Sequence, residues 1–295
     1  MAHHIPASPG PRVAGNETIA RIRAVRVRRG AEPATGLVVD DVNFDLRRGE
    51  RLAVTGGEAS GTGALIRAIG GRPAAQEAVV DGTVDVDGTV HQLTDGIVPS
   101  LSFVAVTGGA DPLAAAHLER AEILRVLQAR PAVIVVDQSG DLPRDLPEES
   151  NAAFLVRTFT ECDTALVLVT DDLGVLRETC DTVQVLLAGR IVERGPVAEV
   201  LSRPHHRYTQ MMVNDDGAHA PRSGRRWGST TDRRTGGCPF EPVCPVGHGR
   251  RDCSTTFPAS RSFPSSFGSV TAKCHRPAFV SSRPVRVDSL EEESR

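Results

Sequence analysis

Lysine is almost absent from this sequence, which holds 34 lysine and arginine residues of which only Lys273 is a lysine. A charge excess is also absent, because the net charge is −3 and gives no reason to expect nucleic acid as a partner. No apolar run approaches the roughly 20 residues of a membrane span, and "MAHHIPASPGPRVAG" lacks a signal peptide's apolar core. We therefore expect a cytoplasmic chain without a transmembrane segment, whose six cysteines are reduced or bound to metal.

Apolar strand patterns alternate with helical patterns before residue 214, as in "RLAVTGG", "GALIRAIGG" and "AVIVVDQSG". Apolar strands separated by helices are typical of a mostly parallel sheet covered on both faces. The segments "VVDDVNFDLRRGE" and "GTVDVDGTV" alternate apolar with polar residues, as half-exposed antiparallel strands do. We predict an α/β fold with a mostly parallel sheet and an antiparallel flank.

Composition also predicts how the chain is divided. We expect residues 1–17 to be disordered, residues 18–214 to form the α/β core and residues 215–236 to be a flexible basic linker. Residues 237–277 form an extension that holds four of the six cysteines, and residues 278–295 form a disordered tail. The stretch "STTFPASRSFPSSFGS" in the extension is poor in periodic apolar residues, so we expect a flexible excursion without a core there.

The segment "VTGGEASGTGAL" lies between a strand pattern and a helix pattern, where a phosphate-binding loop belongs. Gly56 and Gly61 keep the spacing of G-x-x-x-x-G-K-[ST], a loop whose backbone N–H groups hold phosphate oxygens. Thr62 occupies the position of the lysine in that loop, and Gly63 occupies the position of the residue whose hydroxyl would ligate magnesium. Because Arg67 lies one turn into the helix, we expect no nearby basic residue to compensate.

Four further segments carry a resemblance to a known family. The apolar strand in "AVIVVDQSG" ends in Asp137. It resembles the strand of phosphate-loop ATPases whose terminal carboxylate holds magnesium. "VLVTDDLGVLRETCDTVQVLLAGRIVERGPVAEVLSRP" resembles the closing segment of ABC-transporter ATP-binding subunits. "RPHHRYTQMM" and "GCPFEPVCP…C…CHRP" resemble the C-terminal segments of the branch that serves oligopeptide, dipeptide and nickel importers. The resemblance covers roughly residues 18 to 277.

The resemblance implies a P-loop NTPase-like ABC ATPase core with ATP and magnesium as ligands. It also implies two kinds of partner: another ABC ATP-binding subunit and, indirectly, the permease subunits in the membrane. The chain would then lie in the cytoplasm, peripheral to the cytoplasmic face of the membrane.

Several functional positions of the family are altered. The magnesium-ligating glutamine falls on Val106, the signature sequence on residues 113–117, the catalytic carboxylate on Gln138 and the switch histidine on Asp171. Gln138 can orient water but cannot accept its proton, and Asp171 adds negative charge where a γ-phosphate would sit. The adenine-stacking aromatic expected near "VRVRRG" is absent. We therefore expect weak or no binding of ATP and magnesium, and an inactive or severely impaired copy.

A deletion accompanies these substitutions. Only "TGGADP" separates Val106 from Leu113, whereas the family carries there a helical subdomain that docks onto the membrane subunits. That subdomain cannot fit in six residues, so we expect it to be missing.

The cysteines of the extension form a second chemical group. They are Cys238, Cys244, Cys253 and Cys274. Four thiolates can hold zinc or an iron–sulfur cluster, and a metal would supply folding energy that the segment lacks. The resemblance favours the cluster over zinc, while free cysteines in a disordered tail are the remaining alternative. Among the histidines, His248 is the better substitute ligand, and we place His205 and His206 in a polar turn.

Three functions are consistent with these patterns. The first is an ATP-binding-subunit homologue of a peptide or nickel importer that acts as a scaffold or regulatory subunit. The second is a metal- or iron–sulfur-binding interaction module built on an α/β scaffold. The third is an unconventional nucleotide-binding switch.

Overall fold

The computed structural model describes most of the chain. The described residues are 17–30, 36–57, 59–96, 98, 101–105, 112–138, 150–160, 162–217 and 236–278. Val106, most of the expected linker and nearly all of both expected disordered ends lie outside these residues.

Twelve strands and seven α-helices are formed by the described residues. The strands are β1 (Thr18–Arg29), β2 (Leu37–Arg47), β3 (Arg51–Thr55), β4 (Glu77–Val86), β5 (Thr89–Gln92), β6 (Leu101–Ala105), β7 (Val133–Asp137), β8 (Ala165–Val169), β9 (Thr182–Leu187), β10 (Arg190–Pro196), β11 (Arg261–Ser265) and β12 (Gly268–Ala272). The helices are α1 (Thr62–Ile69), α2 (Pro112–Leu127), α3 (Asn151–Phe159), α4 (Leu173–Thr179), α5 (Val197–Ser202), α6 (Arg207–Gly217) and α7 (Arg251–Thr255).

The larger sheet has eight strands in the order β11-β12-β10-β9-β3-β8-β7-β6. Strands β9, β3, β8, β7 and β6 pair in parallel, while β10, β12 and β11 are added antiparallel. A second, antiparallel sheet has the order β2-β1-β4-β5. The predicted α/β fold with a mostly parallel core and an antiparallel flank is confirmed.

The main sheet is buried on both faces, which explains why its central strands read as continuous apolar runs. Successive residues of β3 illustrate this, because Ala53 and Val54 point to opposite faces and belong to different core clusters. Helix α1 packs on the first face, between the two sheets, through Leu65 and Ile66. Helices α3 to α6 contribute to the cluster on the second face.

The extension is not a flexible excursion without a core, and this prediction was wrong. Strands β11 and β12 form a hairpin, and β12 continues the main sheet by pairing with β10. Phe240 and Val270 are buried in the core cluster of the second face. The free edge of β10 supplied the pairing partner that local apolar periodicity could not reveal.

Within the described residues, no helix is long and apolar enough to cross a membrane.

Candidate functional site

The loop between β3 and α1 lies at the carboxyl end of the parallel strands, where ligands bind in open α/β sheets. Gly61 precedes α1 with φ of +97°, and a Cβ atom there would collide with the carbonyl oxygen of Val38. A Cβ on Gly56 would lie 2.5 Å from the carbonyl oxygen of Leu186. Both glycines of the predicted loop are therefore required by backbone conformation or close packing.

A cavity of about 510 Å³ opens at this loop. Its lining residues are Arg29, Thr55, Gly56, Gly57, Ala59, Ser60, Gly61, Thr62, Gly63, Ala64, Arg67, Val169, Thr170 and Asp171. The cavity thus brings together five predicted positions, namely Gly56, Gly61, Thr62, Gly63 and Asp171. Asp137 and Gln138 lie at the end of β7, with β8 between them and β3, and are not among these lining residues.

Four residues with hydroxyl groups line the cavity, namely Thr55, Ser60, Thr62 and Thr170. The Thr62 and Ser60 hydroxyl oxygens lie 3.2 Å apart, and the Thr62 N–H donates to the Ser60 oxygen over 3.4 Å. Thr62 therefore interacts with the loop itself instead of reaching out as a lysine would. Thr55 is 1% exposed, and its hydroxyl has no hydrogen-bond partner among the described residues.

Arg67 lies closer to the loop than its sequence position indicated. Its Nη1 atom is 3.0 Å from the place that a Cβ on Gly63 would occupy. Side chains of a helix lean towards its N-terminus, so a residue one turn into α1 reaches back over the first turn. Arg29 also lines the cavity, so two basic residues lie near the loop, and the absence of a group that compensates for the lysine stays a prediction.

Both arginines are held by one buried carboxylate. Glu77 accepts hydrogen bonds from Arg67 Nε over 3.1 Å, from Arg67 Nη2 over 2.6 Å and from Arg29 Nη2 over 2.9 Å. Burial by itself would raise the pKa of Glu77, but the bonds from Arg67, Arg29 and the Ala74 N–H outweigh it and hold the pKa at about 2. The Arg67–Glu77–Arg29 clamp leaves the Nη1 atom of Arg67 facing Gly63.

A distant helix also contacts the loop. Tyr208 on α6 is 2% exposed, and its hydroxyl accepts a hydrogen bond of 2.6 Å from the N–H of Gly57. No local sequence pattern indicates this contact, because Tyr208 follows Gly57 by 151 residues.

The four cysteines of the extension are buried and lie in one region. A Cβ atom on Gly247 would meet the Cys244 sulfur at 3.1 Å and the Cys253 sulfur at 3.3 Å. Burial raises the pKa of the Cys238 thiol to about 12, and the charges of Cys274, Cys244 and Cys253 add to this rise. Burial also raises the pKa of Cys274, and Cys244 adds to the rise, although backbone hydrogen bonds of Arg276 and Arg207 oppose it. The sulfurs of Cys244 and Cys253 thus both lie beside Gly247.

No group of three or more His, Cys, Asp or Glu side chains in the described residues is arranged as a metal site. Thiolates are the donors that zinc and iron–sulfur centres use, so a metal centre at these cysteines stays a prediction. Gly247 lies so close to two of the sulfurs that a Cβ atom there would crowd them.

The histidines differ from the prediction. His206 is 1% exposed with its Nε2 atom 3.9 Å from the Cys238 sulfur, and burial lowers its pKa to about 3. His205 stacks on the ring of Phe263 with ring centroids 3.9 Å apart. The His248 side chain is 73% exposed. The ring of His206 therefore lies beside a cysteine sulfur, and the predicted polar turn is instead a turn in which His206 is buried.

A buried carboxylate fixes this turn. Glu193 is 1% exposed and accepts hydrogen bonds from the N–H groups of His205 and His206, over 2.6 and 3.0 Å. Burial raises the pKa of Glu193 to about 7, although these bonds oppose the rise. Strand β10, which carries Glu193, thus anchors both α6 and the hairpin of the extension.

Comparison with known proteins gives related results for different parts of the chain. Residues 192–253 match the family model described as "Oligopeptide/dipeptide transporter, C-terminal region". The "Methionine import ATP-binding protein MetN 1" of Paraburkholderia xenovorans is 30% identical over 128 residues, which are 42% of this chain and 37% of that protein. The protein of the same name from Burkholderia pseudomallei is 32% identical over 130 residues, with the same shares. The chain thus spans less than two fifths of the length of these relatives.

Solved structures with a similar arrangement include a nucleotide-free ATP-binding cassette from an ABC transporter. The alignment covers 64% of this chain and 96% of that chain, with 16% identity and a TM-score of 0.49.

Proposed function

We propose that this chain, a homologue of the ATP-binding proteins of ABC importers, is a pseudo-ATPase that acts as a scaffold or regulatory subunit. It would serve an importer of peptide, nickel or methionine type beside another ATP-binding subunit. The proposal rests on the position of the Arg67 side chain. Its guanidinium lies over Gly63, where the family has the hydroxyl that ligates magnesium.

The energetics of hydrolysis support this proposal. Removing one preorganised contact to a developing charge typically costs about 2.7–4 kcal/mol in the transition state. Here the lysine is Thr62, which hydrogen-bonds within its own loop. Gln138 stands at the position of the carboxylate that polarises water, and an amide cannot accept the proton. The effects need not add, but several independent losses together lower the rate by many powers of ten.

The segment that would dock onto the membrane subunits is altered too. Between β6 and β7, α2 is the one helix of the described residues, which supports the loss of the helical docking subdomain. We propose that the chain lies in the cytoplasm, peripheral to the membrane, and meets the permease subunits indirectly through a partner ATP-binding subunit.

The test is titration of the purified protein with MgATP by calorimetry, together with a phosphate-release assay. We expect a dissociation constant no better than millimolar and no turnover above background. A micromolar dissociation constant, or phosphate release at the rate of an ordinary ATPase, would contradict the proposal.

A second candidate function rests on the cysteines. We propose that Cys238, Cys244, Cys253 and Cys274 hold one metal centre that orders the extension against the core, with an iron–sulfur cluster preferred to zinc. The burial of all four cysteines and the position of Gly247 beside the Cys244 and Cys253 sulfurs support it. When bound, such a centre supplies folding free energy to a segment with few apolar residues. The extension would then present an interaction surface built on the α/β scaffold.

A further inference from the structure

We infer that the cavity at the loop binds a phosphate-type oxyanion without magnesium, with the guanidinium of Arg67 standing where the metal ion would be. This inference rests on the proposed loss of ATP hydrolysis at the same loop. It goes beyond that loss because it assigns a ligand class and new ligating residues to a site whose usual lysine and hydroxyl are missing.

The geometry of Arg67 gives the first argument. Its Nε and Nη2 atoms are both used by Glu77. The remaining Nη1 atom is the one nearest to Gly63, at 3.0 Å from a Cβ position there. A guanidinium clamped on one edge by a carboxylate has lost most of its rotamer freedom before a ligand arrives. Its other edge is therefore preorganised to donate to an oxyanion over the first turn of α1.

The balance of charge gives the second argument. Arg29 and Arg67 share the single carboxylate of Glu77, so the three groups together carry one net positive charge. Asp171 lines the cavity as well and carries negative charge. A compact anion that is held near the two arginines fits this distribution better than a long triphosphate chain that extends towards Asp171.

An unsatisfied polar group gives the third, independent argument. Thr55 lines the cavity, is 1% exposed and has a hydroxyl without a partner in the part of the chain that the structure describes. An unpaired buried hydroxyl costs free energy comparable to a lost hydrogen bond. The N–H groups of Gly63 and Ala64 in the first turn of α1 also lack partners within their helix. A phosphate oxygen can accept from all of these donors.

Magnesium is disfavoured for the same reasons. Gly63 offers no hydroxyl to ligate the ion, and a divalent cation placed there would face the guanidinium of Arg67. Like charges at this distance repel strongly in a partly enclosed site. The anion is therefore bound by arginine, hydroxyl and backbone donors alone.

The phosphate group can come from inorganic phosphate or from a nucleotide, and the experiment separates the two. The full-length protein is titrated by calorimetry with inorganic phosphate, tripolyphosphate and ATP, each with magnesium chloride or with EDTA, at constant ionic strength. We expect inorganic phosphate to bind equally with and without magnesium, and ATP to bind no better than tripolyphosphate. Binding that needs magnesium, or ATP at least tenfold tighter than tripolyphosphate, would overturn the inference.

Variants locate the site. Arg67→Gln is expected to weaken phosphate binding roughly tenfold or more, because a charge-assisted hydrogen bond is lost. The matched control is Arg72→Gln, since Arg72 is exposed at the end of α1, and it should bind as the unmodified protein does. Equal affinity of the two variants would contradict the role of Arg67.

A second variant covers the case in which Arg67→Gln fails to fold. Thr55→Val preserves shape and removes a hydroxyl that has no protein partner, so the ligand-free protein should unfold at the same or a higher temperature. Its phosphate affinity should fall. An unchanged affinity in Thr55→Val, or no phosphate binding by the unmodified protein, would overturn the inference. ATP hydrolysis is assayed separately, so the proposed loss of catalysis and the proposed anion site can fail independently.

Discussion

The hydroxyl of Tyr208 accepts a 2.6 Å hydrogen bond from the backbone N–H of Gly57, which ties the loop after β3 to helix α6. Tyr208 is the only tyrosine of the chain, and its ring packs edge-on against Phe240 of the extension with centroids 5.7 Å apart. One side chain therefore links the degenerate phosphate loop to the segment that carries the cysteines.

Removal of that hydroxyl should lower stability. In Tyr208→Phe the ring still packs on Phe240, but the half-buried N–H of Gly57 loses its partner, which costs about 1 kcal/mol. The midpoint of urea-induced unfolding should fall while its slope is unchanged. A variant as stable as the unmodified protein would show that water or another group satisfies Gly57 equally well.

A single repair of the loop should not restore activity. Thr62→Lys supplies the missing charge, but Gln138 still cannot accept a proton and Asp171 still stands at the place of the switch histidine. Phosphate release from MgATP should remain at background, as in the matched control Thr62→Arg. If Thr62→Lys alone hydrolysed ATP at an ordinary rate, the altered positions would not be independent losses.

Acid should destabilise the fold through Glu77. Its folded pKa is about 2, below the ordinary value of 4.5, so its stabilising contribution is complete above pH 4.5 and is lost as the pH falls through 2. The full contribution is on the order of 3 kcal/mol. Urea unfolding between pH 3 and 6 should show a smaller loss on acidification in Glu77→Gln than in the unmodified protein.

The matched control for Glu77 is Glu178→Gln, because Glu178 is an exposed glutamate. It should follow the unmodified protein across this range. A Glu77→Gln profile that coincides with that of the control would contradict the assignment of the acid sensitivity to the Arg67–Glu77–Arg29 clamp.

The metal centre of the extension can be tested by composition. Elemental analysis after anaerobic purification should find stoichiometric iron, or zinc, in the unmodified protein and neither in Cys244→Ser. Cys162→Ser is the matched control, since Cys162 packs against the α/β core outside the four-cysteine group, and it should keep the metal. A metal-free unmodified protein whose four extension thiols are all freely alkylated would exclude the centre.

The sequence by itself determined the sheet, the position of the loop and the four-cysteine group. Runs such as "AVIVVD" predict buried parallel strands, because a strand covered on both faces needs apolar residues at every position. Gly56 and Gly61 mark a tight strand-to-helix turn that leaves no room for a side chain, while their role in holding phosphate stays a prediction. These are local demands, and a local pattern records them.

Only the tertiary structure decided which side chains meet. The Glu77 clamp turns Arg67 towards Gly63, the turn held by Glu193 buries His206 beside Cys238, and the free edge of β10 recruits β12 from the extension. Each contact joins residues from different elements, and its existence depends on how those elements cross. Periodicity describes one element at a time, so the sequence could name the altered loop but not the arginine that now faces it.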